Sequence, residues 1–277
     1  MTDAATAVAV TRIAAGRAAT ADGYVRVQVD AGTWTGLARG CAAGLNDLSA
    51  LWIDGGSVAM ALNDPGGGVR AIVRLPLVEL SYPSIGAHHA PALRPERSLR
   101  DLTGVVPIGL PDVRSWLDHG VWPNRAVAAA RGVDIASTRY RFLPVEGEGL
   151  HQIPVGPVHA GIIEPGHFRF TANGEAVVRL EQRLGYVHKG IAALAVGRPI
   201  GEVQAIVARV SGDSTVAYGL GFARAVEAAS GVGAPPRAER LRGVMAEIER
   251  IAHHVSDVGA ICNDAPVAAI HAGCALV

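Results

Sequence analysis

The stretch that decides the fold and the candidate site reads HQIPVGPVHAGIIEPGHFRF over residues 151–170, RLEQRLGYVHKG over 179–190 and ARVSGDSTVAYGLGFARAVE over 208–227. Histidine, carboxylate and arginine side chains alternate here with glycines and prolines. Gly and Pro favour turns over uninterrupted secondary structure, so the pattern predicts polar loops inside an apolar body. Polar groups in such a setting need a partner or a chemical role. This stretch is therefore where we expect the functional site.

The composition is that of a globular protein and excludes some functions. Of 277 residues, 49% are hydrophobic, which is enough for one large domain or two modest ones. Lys plus Arg and Asp plus Glu balance at 25 each, and 5% of residues are aromatic, so we expect no nucleic-acid binding. Three cysteines without a CxxC pair argue against a disulfide framework and against a metal cluster held by this chain alone.

The sequence contains neither a membrane span nor a signal peptide that we can recognise. A spanning helix needs about 20 predominantly apolar residues, and no such run occurs. Asp3, Arg12 and Arg17 interrupt the N-terminal segment where a signal peptide would have its apolar core. We therefore expect a cytoplasmic chain.

The hydrophobic periodicity predicts an α+β fold. We expect a small N-terminal α/β sandwich-like domain, then a short β-sheet region, then the start of a mainly helical bundle. The glycine-rich segment 64–68 is predicted to be a hairpin turn and not a phosphate loop, because a strand follows it. The predicted strands are 24–29, 69–77, two within 153–170, and 176–183 after an Asn173-Gly174 turn; the predicted helices are 191–195, 202–227 and 237–258.

The chain is predicted to contain two domains. Residues 120–144 combine proline, glycine and arginine without a sustained period, as in a linker. We place the boundary near Arg141, which gives domains at residues 1–140 and 141–277. No internal repeat is present.

Three motifs carry a family resemblance: GPVH at 156–159, EPGHFR at 164–169 and GYVHKG at 185–190. They resemble the catalytic large subunit of energy-converting nickel–iron hydrogenases of the formate hydrogenlyase type and, more distantly, the quinone-site subunit of respiratory complex I. The resemblance implies a peripheral subunit on the cytoplasmic side of the inner membrane. It also implies an iron–sulfur partner subunit that delivers electrons and membrane subunits that pump ions or protons; NADH, where it is used, binds elsewhere.

A further segment, PERSLRDLTGVVPIGLPDVRSW at 95–116, resembles the small peripheral-arm subunit of complex I, which relatives often carry fused in front of the large subunit. Judged by spacing alone, its residues Glu96, Arg97, Arg100 and Asp101 indicate a solvated charged helix whose side chains pair with one another. The resemblance instead implies a docking segment, structural and not catalytic, that holds the first domain against its neighbour.

The metal-binding loop of the hydrogenase family reads Arg-x-Cys-Gly-x-Cys, and the matching residues 209–214 read RVSGDS. A nickel–iron centre needs four thiolates, because soft sulfur ligands suit the metal. Ser211 and Ser214 replace the first two cysteines, and the family's second pair lies in a C-terminal half that this sequence does not contain. We therefore expect no nickel–iron centre.

The resemblance assigns roles to the remaining polar residues. The catalytic candidates are His159, Glu164, His167, Arg209 and Asp264, and the cofactor contacts are His159, Ser211, Gly212 and Ser214. His159 stands where the complex I branch has a histidine that hydrogen-bonds a quinone, whereas Gly212 stands where that branch has a tyrosine. A carboxylate or histidine in an apolar loop can relay protons. The alternative is that the histidines only cap loop carbonyls.

Four expectations stay open between a functional and a plain structural interpretation. Arg209 is expected to pair with Asp213, Glu164 or a bound anion. Asp264 has either a buried polar role or a local capping role. Glu247, Arg250 and His254 share one helix face and form either a support for the site or a surface ion pair. The whole chain is either a working oxidoreductase subunit with a quinone-type cavity or a degenerate structural subunit that docks iron–sulfur and membrane partners.

Overall fold

A computed structural model describes residues 6–20, 22–118, 142–159 and 163–276. This part of the chain forms two compact units: residues up to 159 together with 164–187, and residues 188–276 together with Ile163. The predicted linker and the boundary near Arg141 lie largely or wholly outside the described residues. The division into 1–140 and 141–277 rests on the linker-like composition of residues 120–144 and stays a prediction.

The N-terminal part of the first unit is a four-stranded sheet with helices against it. The strands are β1 (Val25–Gln28), β2 (Asp47–Asp54), β3 (Ser57–Asn63) and β4 (Arg70–Pro76), in the order β1-β4-β3-β2, and only the β1–β4 pair is parallel. Helices α1 (Val10–Ala14) and α2 (Ala31–Ala42) accompany them. Trp34, Leu37, Met60 and Leu62 are fully buried in the core. The predicted strands at 24–29 and 69–77 are confirmed.

The glycine-rich turn between β3 and β4 is the predicted hairpin. Gly67 N donates to Asp64 O at 2.8 Å, and Gly68 N donates to the Asp64 side chain at 3.3 Å. Gly67 has a φ of 77°, which glycine adopts without steric cost. The turn therefore serves strand pairing, as predicted.

The segment after this sheet contains a short parallel pair, β5 (Ser81–Pro83) and β6 (Val106–Ile108), joined through helix α3 (Leu93–Thr103). The prediction from spacing alone, that α3 is a charged helix exposed to solvent, is wrong. Glu96, Arg97 and Asp101 are only 0%, 6% and 9% exposed, because α3 packs its charged face against neighbouring loops instead of solvent.

Each buried charge of α3 is satisfied by a loop distant in sequence. Glu96 accepts hydrogen bonds from Ser84 Oγ and the amides of residues 85 and 86 at 2.7–2.9 Å. Arg97 donates to the carbonyls of residues 114 and 115, and Asp101 accepts from the amides of residues 116–118. Buried charges are tolerated when hydrogen bonds replace water in this way. The helix thus ties loops 84–86 and 112–118 together.

A three-stranded antiparallel sheet completes the first unit. It consists of β7 (Leu150–Val155), β8 (His167–Asn173) and β9 (Ala176–Arg183), with β8 in the middle. The predicted Asn173-Gly174 turn joins β8 to β9, and Gly174 has a φ of 58°. The predicted strands of this region are confirmed.

The second unit is helical. It contains α4 (Ile191–Ala195), α5 (Ile200–Val207), α6 (Thr215–Ser230), α7 (Pro236–Asp264) and α8 (Ala268–Ala275). The prediction of one helix over 202–227 is wrong, because a turn with a 3-10 segment at Gly212–Ser214 separates α5 from α6. Ser, Gly and Asp favour such turns over helix interiors. Within the described residues, no helix has the length and apolar character that crossing a membrane requires. The α+β class is confirmed.

Candidate functional site

The loop between β7 and β8 brings His159 and His167 into one region of the first unit. Gly156 has a φ of 79°, and a Cβ at this position would lie only 2.0 Å from Gly166 O and 3.3 Å from His159 Cδ2. Only glycine can stand here without moving the backbone. The glycine of the GPVH motif therefore allows the two arms of the loop, and their histidines, to approach closely.

Both histidines keep a ring nitrogen without a hydrogen-bond partner. Nε2 of His159 and Nε2 of His167 are buried and unpartnered. Burial lowers the pKa of His167, as do the neighbouring Arg169 and Arg183, while a hydrogen bond with the Gly156 backbone acts in the opposite direction. Buried polar atoms without a partner are uncommon and call for an explanation. A neutral imidazole with a free nitrogen is suited to bind a polar ligand group or to exchange a proton.

Two arginines beside His167 were missed by the sequence analysis. His167 lies directly across from Arg183 in the β8–β9 pair, and Arg169 lies on the same face. Nε of each arginine is buried and unpartnered, and the Arg169 guanidinium lies 4.1 Å from the centre of the Phe142 ring. The sequence did contain a signal for them: H-x-R in β8 and R-x-E-x-R in β9 place charged residues at every second position of two neighbouring strands. Cross-strand neighbours share a face, so this pattern predicts that the charged side chains meet.

Residues 142–144, which precede β7, lie across the sheet face that carries His167 and the arginines. Leu143 N donates to Glu181 at 3.0 Å, and Leu143 O accepts from Arg179 at 3.1 Å and from Gln152 at 3.4 Å. The Phe142 ring is 5.0 Å from the His167 ring. Residues 142–144 therefore close over the charged face on which His167 lies.

Glu164 does not share the setting of the two histidines. Its side chain is exposed, whereas the sequence predicted an apolar loop around it. The segment 164–166 before β8 contains Pro165 and Gly166, and it places the carboxylate toward solvent. A relay role for Glu164 stays a prediction that its exposure does not favour.

The RVSGDS turn belongs to the second unit. Arg209 is exposed and donates to Ala205 O at 2.9 Å. Among the described residues it forms no ion pair with Asp213, which was one of its expected partners. Ser211, Gly212 and Ser214 lie in and beside the 3-10 segment. Asp213 O is hydrogen-bonded to His253 Nε2. Side chains of α7 thus hold the turn through its backbone, and the hydroxyl groups of the turn are poor ligands for a soft metal.

The donor set does not fit a nickel–iron centre. Serine hydroxyls occupy both matched cysteine positions, and residues 6–20, 22–118, 142–159 and 163–276 contain no group of three or more His, Cys, Asp or Glu side chains placed to hold a metal ion. No step that depends on nickel follows from this chain.

The supports of the turn differ from those expected. Glu247 and Arg250 form an ion pair at 2.7 Å, but both side chains are about 60% exposed, so the surface interpretation fits them. Instead, the Glu249 carboxylate accepts from Val216 N at 2.7 Å and from Ala217 N at 3.0 Å, which caps α6. Sequence reasoning missed Glu249, because its partners lie more than 30 residues away.

Asp264 is the last residue of α7 and is exposed. The buried polar setting that the sequence allowed is therefore absent in the described chain, and a position at the helix end fits the local alternative. Its assigned relay role stays a prediction.

Comparison with known proteins supports the family resemblance. No family model matches the chain. Formate hydrogenlyase subunit 5 of Escherichia coli (strain K12) is 32% identical over 193 residues, which cover 66% of this chain and 34% of the relative. Membrane-bound hydrogenase subunit alpha of Pyrococcus furiosus is 33% identical over 113 residues, 41% of this chain and 26% of the relative. The C/D subunit of the NADH-quinone oxidoreductase of Bdellovibrio bacteriovorus is 25% identical over 176 residues, 59% of this chain and 31% of the relative.

The motifs and these similarities together define a class of oxidoreductase subunit shared by energy-converting hydrogenases and complex I. The chain is similar to this family, the nickel–iron hydrogenase large subunits and their complex I counterparts, which confirms the resemblance seen in the sequence. The matched residues span about a third of the length of the formate hydrogenlyase and NADH-quinone oxidoreductase relatives and about a quarter of the Pyrococcus furiosus relative.

Proposed function

We propose that the chain is a peripheral subunit of a membrane-associated, complex I-like oxidoreductase, in which electron transfer is coupled to proton movement at a quinone-type cavity without a nickel–iron centre. The observation that carries this proposal is the pair of buried, unpartnered Nε2 atoms on His159 and His167. Nε2 of His159 can donate a hydrogen bond to a quinone oxygen, whereas Nε2 of neutral His167, whose other ring nitrogen is hydrogen-bonded to the Gly156 backbone, can accept a proton.

In this proposal, the two histidines of the loop have different roles. A bound quinone would supply the electron-accepting chemistry. His159 would hold the headgroup through Nε2, and Gly156 keeps its ring beside the second arm of the loop. His167 stays neutral because burial and the two neighbouring arginines disfavour its protonated form, which lowers its pKa. A proton that reaches His167 would therefore be passed on and not retained.

The partners follow from the same proposal. An iron–sulfur subunit would deliver electrons and membrane subunits would move ions, while NADH, where used, would bind elsewhere in the assembly. The names of the relatives, a membrane-bound hydrogenase and an NADH-quinone oxidoreductase, support membrane association in a complex of several subunits. A location on the cytoplasmic side of the inner membrane is part of the proposal.

A second candidate is a structural subunit without redox chemistry. The serines at positions 211 and 214, together with the exposed Glu164 and Asp264, favour it. The buried charges of α3, which are saturated by hydrogen bonds with neighbouring loops, fit a docking role equally well. The two candidates differ in whether the histidine pair is needed for turnover.

The test is quinone reduction by the purified membrane complex that contains the full chain. We expect His159→Ala and His167→Ala to lower the rate at least about a hundredfold, the scale of general acid–base catalysis, with assembly unchanged. His151→Ala is the matched control, because His151 is an exposed histidine of the same sheet. Unchanged turnover in intact complexes would establish the structural alternative, and stoichiometric nickel in the complex would overturn the exclusion of a nickel–iron centre.

A further inference from the structure

A groove of about 720 Å³ lies inside the first unit, and neither His159 nor His167 lines it. One wall contains the start of α3 and the loop after β6, with Arg94, Arg97 and Trp116. The other wall contains Leu180, Glu181 and Gln182 of β9. The volume is within the range of ligand-binding sites, about 300–1,000 Å³.

The β9 wall presents the edge of a strand. Side chains alternate between faces along a strand, so three consecutive lining residues indicate that the backbone edge itself borders the groove. β9 pairs with β8 on one side only and is an outer strand of its sheet. Among the described residues, none forms a backbone hydrogen bond with its other side. Unpaired amides and carbonyls of this kind are a template for an added strand.

The opposite wall carries an exposed positive charge at Arg94. Its neighbour Arg97 is paired with Asp112 at 2.9 Å, so this carboxylate is already used. The Arg94 guanidinium lies 5.3 Å from the centre of the Trp116 ring and has no carboxylate partner among the described residues. The negative charge of Glu181 is already paired with Arg179 at 3.3 Å. The groove therefore attracts a negatively charged occupant.

We propose that this groove binds an extended, acidic segment of a partner polypeptide, which adds to the free edge of β9 and places a carboxylate on Arg94. Main-chain hydrogen bonds to a strand edge supply affinity, and alternate side chains of the added segment supply specificity. Arg94 offers a planar donor group that matches a carboxylate, and Leu93 and Leu180 offer apolar contacts between charges.

The charge pattern separates this occupant from two others. A second copy paired edge to edge would bring another Arg94 but no free carboxylate from its own groove, because Asp112 and Glu181 are already paired with arginines. A small anion would satisfy Arg94 but would leave the amides and carbonyls of β9 unpaired. Only an acidic strand uses both walls. This proposal does not depend on the histidine pair or on quinone chemistry.

The experiment measures binding of a labelled peptide of alternating Glu and Val to the full chain at low salt. We expect Arg94→Glu to weaken binding at least about tenfold, because it replaces an attraction by a like-charge contact. Arg70→Glu is the matched control, since Arg70 is also exposed and its guanidinium lies 5.0 Å from the centre of the Tyr24 ring, outside the groove. We expect the control to bind as the natural chain does.

Three further measurements decide between occupants. The same peptide N-methylated at every residue keeps its charge but cannot donate main-chain hydrogen bonds, and we expect it not to bind. Equal binding of the methylated peptide would overturn the proposal, as would full competition by glutarate, which would indicate a small-anion site. A dimer of the full chain that the peptide dissociates would identify a second copy as the occupant and would also overturn it.

Discussion

Glu96 shows at the scale of one residue how far sequence spacing can mislead. Its neighbours at helical spacing suggested exposed ion pairs, yet the side chain has no solvent exposure and accepts three hydrogen bonds from residues 84–86. Burial raises the pKa of this carboxyl group above its ordinary value, against the effect of those three hydrogen bonds. The helix could be predicted from sequence, but the burial could not, because the donors come from a loop 10 to 12 residues away.

The raised pKa of Glu96 makes a prediction about stability. A raised folded-state pKa means that the folded chain holds a proton that the unfolded chain has lost, so stability falls as pH rises from about 4.5 through the folded pKa. The glutamine of Glu96→Gln cannot titrate, and its amide group disrupts the hydrogen bonds. We expect this substitution to lower the free energy of unfolding by about 1–3 kcal/mol at low pH. Denaturant unfolding at several pH values measures this difference. We expect the free energy of unfolding of the natural chain to exceed that of the variant by less as the pH rises. A difference that stays constant with pH would contradict this account.

At the scale of elements, the site depends on contacts between segments that are separate in sequence. The turn before α6 was predicted to be helix, and what fixes it is Glu249 of α7, whose carboxylate binds the first free amides of α6. Carboxylates at a helix N-terminus stabilise unpaired amides and the positive end of the helix dipole. Sequence reasoning found the helices but not the cap, because no local pattern joins residues 216 and 249.

Removing this cap should destabilise the chain measurably. We expect Glu249→Ala to lower the free energy of unfolding by about 1 kcal/mol, the usual scale of an N-terminal cap. Glu247→Ala on the same helix is the control, because its exposed ion pair with Arg250 is worth no more than about 0.5 kcal/mol. Denaturant titration of the two variants makes the comparison. Equal losses would show that Glu249 contributes no more than a surface charge.

At the scale of the whole molecule, the second unit leaves much apolar surface exposed. A row of apolar side chains along α7 is about half exposed at each position: Leu241, Val244, Met245, Ile248, Ile251, Val258 and Ile261. Part of this row and α8 line a second, mostly apolar groove of about 520 Å³. Contiguous apolar surface of this kind marks contact sites or promotes self-association.

Polar substitution in this row should change surface properties without changing stability. We expect the double change Ile248→Gln and Ile251→Gln to lower binding of an apolar fluorescent dye and self-association of the full chain. The free energy of unfolding should stay within about 0.5 kcal/mol, because exposed side chains contribute little to it. Val177→Gln with Val178→Gln is the control, since these valines are equally exposed on β9 but lie outside the row. Equal effects of the two pairs would contradict a continuous apolar row on α7.

The sequence by itself determined the hairpins at residues 64–68 and 173–174, the long helix after Pro235, the family resemblance, and the replacement of both matched cysteines by serines. These features depend on residue types and on neighbours within a few positions, where sequence patterns carry the physical information. Tertiary structure alone decided that Glu96 is buried, that Glu249 caps α6, that Arg169 and Arg183 lie beside His167, and that Glu164 faces solvent. Each of these depends on contacts between distant segments, and a local pattern does not state which segments meet.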